Sequence, residues 1–231
     1  MIMKRIFFTA ALLLAGLAAG AQSFSERYED FNEKYNNEVV HGSNVDLSLF
    51  EHLGFGWSMF NPGENVLDLK MNKSFSFAMD MVNLDVRLSD AFHLRGALRW
   101  TFENYVPESA IVYTNTGNAI SVAPALDLKK SKMRADYLGI PVGFAVKNGH
   151  YTFYANAIGE ILTNSITKWK TGKGQGKEVI KGYEPLRAAV EAGVEYRKLG
   201  IFVRYTLTPS FSSSSHLGDD RLLTVGIGME L

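Results

Sequence analysis

The sequence predicts an all-β chain, an eight-stranded antiparallel up-and-down transmembrane β-barrel with a short N-terminal helical segment. Three observations indicate this fold. Residues alternate between apolar and polar along most segments after Val45, with the period of two that a strand imposes. The gaps between segments are by turns short and long, as in outer-membrane barrels with short periplasmic turns and longer outer loops. An export signal precedes these segments.

The N-terminus has the three parts of a secretory signal peptide. Lys4 and Arg5 precede the apolar run 6–15, and the small residues 19–21 follow it. We expect cleavage after Ala21, so that residues 1–21 are removed. A membrane anchor is less favoured, because the run is shorter than the roughly 20 residues that span a bilayer. The absence of cysteine excludes an acylated lipoprotein, a disulfide and a thiolate metal site.

Charge and hydropathy narrow the class of protein further. Basic and acidic residues balance at 24 each, which gives no support to nucleic-acid binding. After the signal, no stretch resembles a transmembrane helix. A membrane location therefore requires a closed barrel, because lipid offers no partner to free backbone N–H and C=O groups.

Residues 22–43 differ from the rest and predict an amphipathic periplasmic helix. Its aromatic residues are spaced by four, three and four positions, which puts them on one helical face: Phe24, Tyr28, Phe31 and Tyr35. Such a helix is either a plug, a docking tail for a protein partner, or a solvated leader. The sequence leaves these alternatives open.

Residues 44–231 form the predicted barrel domain. We predict strands at 44–60, 74–88, 92–106, 132–146, 150–165, 184–197, 200–209 and 220–231. The outer loops are then 61–73, 107–131, 166–183 and 210–219. The second strand is irregular, because Phe77 and Met79 lie on one phase and Val82 on the other. A bulge near Met81 or a misplaced boundary explains this change.

The two faces of the strands predict a polar interior and an apolar exterior. The polar face should hold an interior network of paired charges: Arg95, Arg99, Glu103, Glu160, Arg187, Glu191, Glu195, Arg197, Arg204 and Glu230. A soluble barrel would turn the same faces the other way. The apolar face, however, carries aromatic residues near both ends of the strands, as in membrane girdles: Phe55, Trp57, Trp100, Phe102, Phe144, Tyr151, Phe153 and Tyr196. This favours an outer-membrane location.

Short motifs resemble a known family. The segment Tyr137-Leu138-Gly139-Ile140-Pro141-Val142 resembles the "YLEIP" strand of PorT-like outer-membrane β-barrel proteins, and the segments 200–205 and 224–228 are also similar to that family. Gly139 stands where the family commonly has Glu, and the C-terminal residue is not aromatic. The resemblance implies a barrel in which some relatives assist protein secretion. Pro141 lacks a ladder donor, so we expect a local bulge or a water-satisfied carbonyl there.

Two segments invite a chemical interpretation. Glycines and lysines at 172–177 are similar to a phosphate-binding loop, but Glu178 stands where that loop needs Ser or Thr, so we predict a flexible outer loop. The last loop offers a nucleophile and a base for lipid hydrolysis: the serines 212–215, His216, Asp219 and Asp220. Serine runs are ordinary in loops. We therefore predict no enzyme, and no catalytic, cofactor or metal site.

The sequence favours a noncatalytic outer-membrane scaffold or binding protein of the cell envelope. We expect a monomeric barrel in contact with outer-membrane lipid, with a protein partner at the outer loops or in the periplasm. Three alternatives stay open: a small passive pore, a lipid-modifying enzyme and a soluble periplasmic ligand-binding barrel.

Overall fold

The computed structural model describes residues 44–60, 68–109, 111–117, 119–124, 127–215, 217 and 220–231. The predicted signal peptide and the predicted N-terminal helix lie outside these residues. Within the described ranges, no helix has the length and apolar character needed to cross a membrane.

Eight strands close into one antiparallel barrel. The strands within the described residues are β1 (Val45–Phe60), β2 (Phe75–Arg87), β3 (Phe92–Tyr105), β4 (Ile111–Thr116), β5 (Ala119–Pro124), β6 (Leu128–Asn148), β7 (Tyr151–Thr171), β8 (Gln175–Val179), β9 (Leu186–Tyr196), β10 (Leu199–Thr206) and β11 (Leu222–Glu230). The ring runs β1-β2-β3-β6-β7-β9-β10-β11, and β11 pairs with β1 to close it. The predicted eight-stranded up-and-down fold is confirmed.

The connections differ at the two ends of the barrel. Tight turns at 88–91, 149–150 and 197–198 form one end, which we call the turn end. The opposite end, the loop end, carries the longer connections. Two of the predicted loops contain further strands, since β4 and β5 form a separate hairpin and β8 pairs with β7.

Strands β6 and β7 extend several residues beyond the predicted loop-end boundaries. Their upper parts are rich in lysine, a composition that favours a loop when the sequence is considered alone. Cross-strand pairing nevertheless continues as far as Leu128 opposite Thr171. Together with β8, these strands form a small sheet above the barrel wall.

A bulge in β2 explains the phase change in the sequence. The pairing with β3 shifts register between Asp80 and Val82, which leaves Met81 as the extra residue. The predicted bulge near Met81 is therefore confirmed. Phe77 before the bulge and Val82 after it pair with Phe55 and Leu49, both of which are exposed on the outer face. The bulge keeps both apolar series on one surface of the barrel.

Pro141 behaves differently from the expectation. The β3–β6 pairing keeps the same register on either side of it, from Gly96 opposite Val142 to Arg99 opposite Gly139. Pairing with β7 also passes through Pro141 without a shift. Of the two expected features, the bulge is therefore wrong, because the strand keeps its register and lacks only the pairs Ala97–Pro141 and Leu98–Ile140 in the β3 ladder. The water-satisfied carbonyl stays a prediction.

Candidate functional site

A layer of buried ion pairs crosses the barrel interior on the loop-end side. The guanidinium of Arg187 donates to both carboxylate oxygens of Glu103, at 2.7 and 2.9 Å, and through Nε to Glu160 at 2.8 Å. Arg204 donates to the other oxygen of Glu160. These residues come from β3, β7, β9 and β10, so the layer links opposite walls of the barrel.

A second layer lies closer to the turn end. Arg99 donates to Asp80 through Nε at 2.5 Å and through Nη2 at 3.0 Å. Its Nη1 donates to both oxygens of Glu191, at 2.9 and 2.8 Å. All three side chains are almost fully buried. A paired arrangement is essential here, because an unpaired charge in such an interior is strongly destabilising.

A polar cavity of about 70 Å³ occupies the turn end of the interior. His52 lies 3.7 Å from Asp80 and 3.5 Å from Glu195, and Arg95 is also 3.5 Å from Glu195. These distances exceed those of direct hydrogen bonds, and both ring nitrogens of His52 lack a hydrogen-bond partner. A cavity of this size and polarity is large enough to accommodate water molecules.

The structure brings most of the predicted interior charges together. Nine of them line the barrel or its turn-end cavity: Arg95, Arg99, Glu103, Glu160, Arg187, Glu191, Glu195, Arg204 and Glu230. Arg197 departs from the expectation, because it lies in the β9–β10 turn with a φ of 57° and is exposed. The alternation ends at Tyr196, so the phase of β9 does not extend to Arg197.

Sequence reasoning missed several interior groups. Asp80 was overlooked because the bulge at Met81 obscures the inner phase of β2, although the predicted bulge was the signal that could have found it. His52 was missed for a similar reason, because the pairing of β1 with β2 also shifts register between Leu49 and His52. Local irregularities in a strand thus hide interior positions from an analysis that assumes a strict period of two.

An apolar cluster fills the loop end of the interior above the ion pairs. Its members are Phe60, Tyr105, Tyr113, Ile120, Met133, Ala135, Tyr137, Ile180, Tyr183, Phe211, Leu217 and Leu222. The β4–β5 hairpin contributes Tyr113 and Ile120, and the backbone N–H of Ile120 donates to Ser215 Oγ at 3.2 Å. The Arg187 guanidinium lies 3.8 Å from the Tyr137 ring centroid. Aromatic packing therefore separates the charged layers from the outer loops.

The outer face of the barrel is apolar and bears aromatic residues near both ends. Exposed aliphatic side chains on this face include Val142, Val190, Ile201, Val203, Val225 and Ile227. The eight predicted girdle residues all lie on this face: Phe55, Trp57, Trp100 and Phe102 towards the loop end, and Phe144, Tyr151, Phe153 and Tyr196 towards the turn end.

Neighbouring aromatic rings extend this outer surface. Phe75, which was not among the predicted girdle residues, stacks on Phe55 with ring centroids 5.5 Å apart. Phe77 packs edge-on against Trp100, with ring centroids 6.2 Å apart. At the turn end, the ring centroids of Tyr151 and Tyr196 lie 5.1 Å apart. The aliphatic surface therefore lies between two groups of packed aromatic side chains.

The serine-rich loop is held by hydrogen bonds to neighbouring segments. Ser213–Ser215 forms one turn of 3-10 helix, and Ser215 Oγ donates to the carbonyl of Gly182 at 2.8 Å. The same oxygen accepts the hydrogen bond from Ile120. His216 and Asp219 lie outside the described residues. Among the residues that are described, no three His, Asp or Glu side chains are grouped to hold a metal ion.

The glycine-rich segment 172–177 is part of a β-hairpin. Thr171 is the last residue of β7, and its backbone N–H donates to the carbonyl of Gly174 at 2.7 Å. Strand β8 then begins at Gln175. The helix that a phosphate-binding loop would require is absent from this described segment.

Comparison with known proteins identifies barrels among solved structures. No protein-family model matches the sequence, and no curated protein is significantly similar to it. Ail of Yersinia pestis, solved in complex with the heparin analogue sucrose octasulfate, is 13% identical with a TM-score of 0.39, over 81% of this chain and 97% of Ail. Neisserial surface protein A is 14% identical with a TM-score of 0.43, over 82% and 98% of the two chains.

A third solved structure spans more of this chain. The translocator domain of the autotransporter NalP from Neisseria meningitidis covers 94% of this chain and 98% of its own length, with 10% identity and a TM-score of 0.31. At these identities the likeness concerns the fold alone.

Proposed function

We propose that the protein is a noncatalytic outer-membrane β-barrel that serves as a scaffold or binding protein of the cell envelope. The observation that carries this proposal is the polarity of the barrel, with buried ion pairs inside and exposed aliphatic side chains outside. A soluble barrel needs the opposite arrangement, since apolar surface is removed from water when it folds. In lipid, the outer face is in its preferred solvent.

The filled interior argues against a small passive pore. The two layers of ion pairs cross the barrel, and packed aromatic side chains follow them on the loop-end side. An eight-stranded barrel has an interior that side chains can just fill. The polar cavity at the turn end is therefore a closed recess, and we expect no conductance in planar bilayers.

The structural use of the serine-rich loop supports a noncatalytic role. Ser215 is 2% exposed, and its hydroxyl joins the 3-10 turn to the hairpin and to Gly182. A nucleophile must instead have its oxygen free to reach the substrate and a base. We expect the wild type and Ser215→Ala to show the same background rate of hydrolysis of outer-membrane lipid.

A role in secretion is the more specific form of the proposal, and it rests on the resemblance to PorT-like proteins. The segment Gln22–Gly42 carries the aromatic face that would dock a periplasmic partner. We expect its deletion to remove a copurifying protein and to leave the barrel folded. A partner that remains bound to the deleted form would assign docking to the outer loops.

Membrane insertion is tested by fractionation and by tryptophan quenching. We expect recovery in the outer membrane and a gel mobility that changes on boiling. In single-tryptophan variants, brominated lipid should quench Trp57 and Trp100, which lie on the outer face. Trp169 packs against Gly176 on the opposite face of β7 and should be quenched less. Recovery as a soluble periplasmic protein, with equal quenching of all three, would overturn the proposal.

A further inference from the structure

A strongly basic face lies directly above the loop-end aromatic residues, on the outward side of β6, β7 and β8. Six side chains form this basic face: Lys130, Lys132, Arg134, Lys168, Lys170 and Lys177. Lys132 lies directly opposite Lys168, which lies opposite Lys177 on the next strand. Like charges opposite one another destabilise a sheet, so a bound anion would stabilise this arrangement.

The basic side chains of this face are not neutralised by ion pairs with other described residues. Within the described ranges, none of its six side chains forms an ion pair. The nearby carboxylate of Asp136 accepts a hydrogen bond from Asn164 at 2.8 Å. Arg134 is held with its guanidinium carbon 5.3 Å from the Phe102 ring centroid, and its buried Nε lacks a hydrogen-bond partner.

The pKa of Lys132 reflects both its burial and the neighbouring positive charges. Burial, followed by the charges of Arg134, Lys130 and Lys168, lowers the pKa of Lys132 to about 8. The pKa of Lys168 is also lowered, chiefly by Arg134. A bound anion would offset these effects and restore the charged forms.

An apolar groove of about 440 Å³ lies below the basic face, on β6 and β7 and the flanking strands β3 and β9. Its walls include Leu98, Leu138, Ile140, Gly159, Ile161 and Leu186. Gly159 leaves the groove open, because a Cβ at this position would meet nothing within 4 Å. Arg134 is four residues from Leu138 on β6, which places the basic face roughly 13 Å along the strand from the groove.

We infer that the groove and the basic face form one binding site for a phosphate-bearing, acylated lipid of the outer leaflet. This inference rests on the proposed membrane location. An acyl chain lies in the groove beside Gly159, and a headgroup phosphate accepts hydrogen bonds from Lys132, Lys168 and Arg134. The charge of the face selects an anionic headgroup, and the continuity of the groove with the lipid-facing surface selects a lipid over a soluble anion.

The test measures bound lipid by native mass spectrometry on full-length mature protein from phosphatidylcholine nanodiscs that contain diphosphoryl lipid A. We expect Lys132→Gln/Lys168→Gln to weaken retention of lipid A about tenfold or more, the loss expected for charge-assisted hydrogen bonds. Gly159→Leu should also weaken it, because the new side chain occupies the groove. The control Lys147→Gln/Lys198→Gln removes two charges at the turn end and should retain lipid A as the wild type does.

The dependence of lipid A retention on pH and on inorganic phosphate provides two independent tests. Retention should fall as the pH rises through about 8, because Lys132 then loses its proton in the unbound protein. The groups that face it are Lys130 and Arg134 on its own strand, Lys168 on β7 and, beyond that, Lys177 on β8. Inorganic phosphate alone should compete poorly, because it cannot use the groove.

Several results would overturn this inference. One is equal retention by the wild type and both site variants, and another is full competition by inorganic phosphate, which would indicate a simple anion site. Failure of the membrane proposal is distinguishable, because the protein would then show no boiling-dependent mobility and no quenching of Trp57. Loss of lipid A by an inserted, heat-modifiable Gly159→Leu variant supports the inference directly.

Discussion

Replacing Arg187 by Met should destabilise the barrel by ~3–5 kcal/mol, the usual cost of breaking a buried ion pair from one side. The Arg187 side chain is 0% exposed and donates to Glu103 and Glu160. Its loss leaves Glu103 without its cation, whereas Glu160 keeps Arg204. Methionine is similar in length, so the lost charge accounts for most of the change.

The assay is equilibrium unfolding by urea in lipid vesicles, followed by tryptophan fluorescence and by gel mobility without boiling. Arg197→Met is the matched control, because Arg197 is exposed in a turn and should change the free energy of unfolding by about 0.5 kcal/mol or less. The double variant Arg187→Met/Glu103→Gln should be more stable than the sum of the single changes predicts, by about 1–3 kcal/mol. Equal losses for Arg187→Met and Arg197→Met, or strict additivity, would refute the reasoning.

Three further predictions concern the surface, the hairpin and a close backbone approach. Ile227→Lys should destabilise the inserted barrel by ~2–4 kcal/mol, and Leu88→Lys in a turn by ~0–1 kcal/mol, measured by the same urea titration; equal costs would contradict the lipid-facing assignment. Tyr113→Ala should speed proteolysis within the β4–β5 hairpin and preserve heat-modifiable mobility, because the ring is fully buried but lies outside the barrel wall. Gly193→Val should impair folding from urea, since a Cβ there would lie 2.6 Å from the Tyr154 ring; a normal folding yield would argue against this packing.

The sequence could predict the barrel wall because two independent patterns agree. Strand alternation assigns faces, and the lengths of the gaps assign ends. Both patterns are local, so they can be identified without knowing which strands pair with one another. The bulge at Met81 was predictable for the same reason, because it changes the phase within a single strand.

The loop-end structure could not be predicted in the same way. The hairpin containing Tyr113 and Ile120 is defined by burial against residues distant in sequence, such as Phe211 and Tyr183. The upper part of β6 resembles a loop because it is rich in lysine, yet it pairs along its length with β7. Local polarity reports exposure to water, which loops and water-facing strands share.

The charged interior and the aromatic cluster together restrict where binding can occur. Glu160 and Arg187 block the middle of the barrel, and the hairpin blocks its loop-end mouth. A partner must therefore contact the outer wall, the loop end or the turn end. Of these surfaces, the basic face on β6, β7 and β8 is held by continuous strand pairing, which keeps Lys132 and Lys168 in fixed register. Binding there requires less ordering of the protein than binding to a flexible loop, so a modest set of charge-assisted contacts is enough for selective recognition.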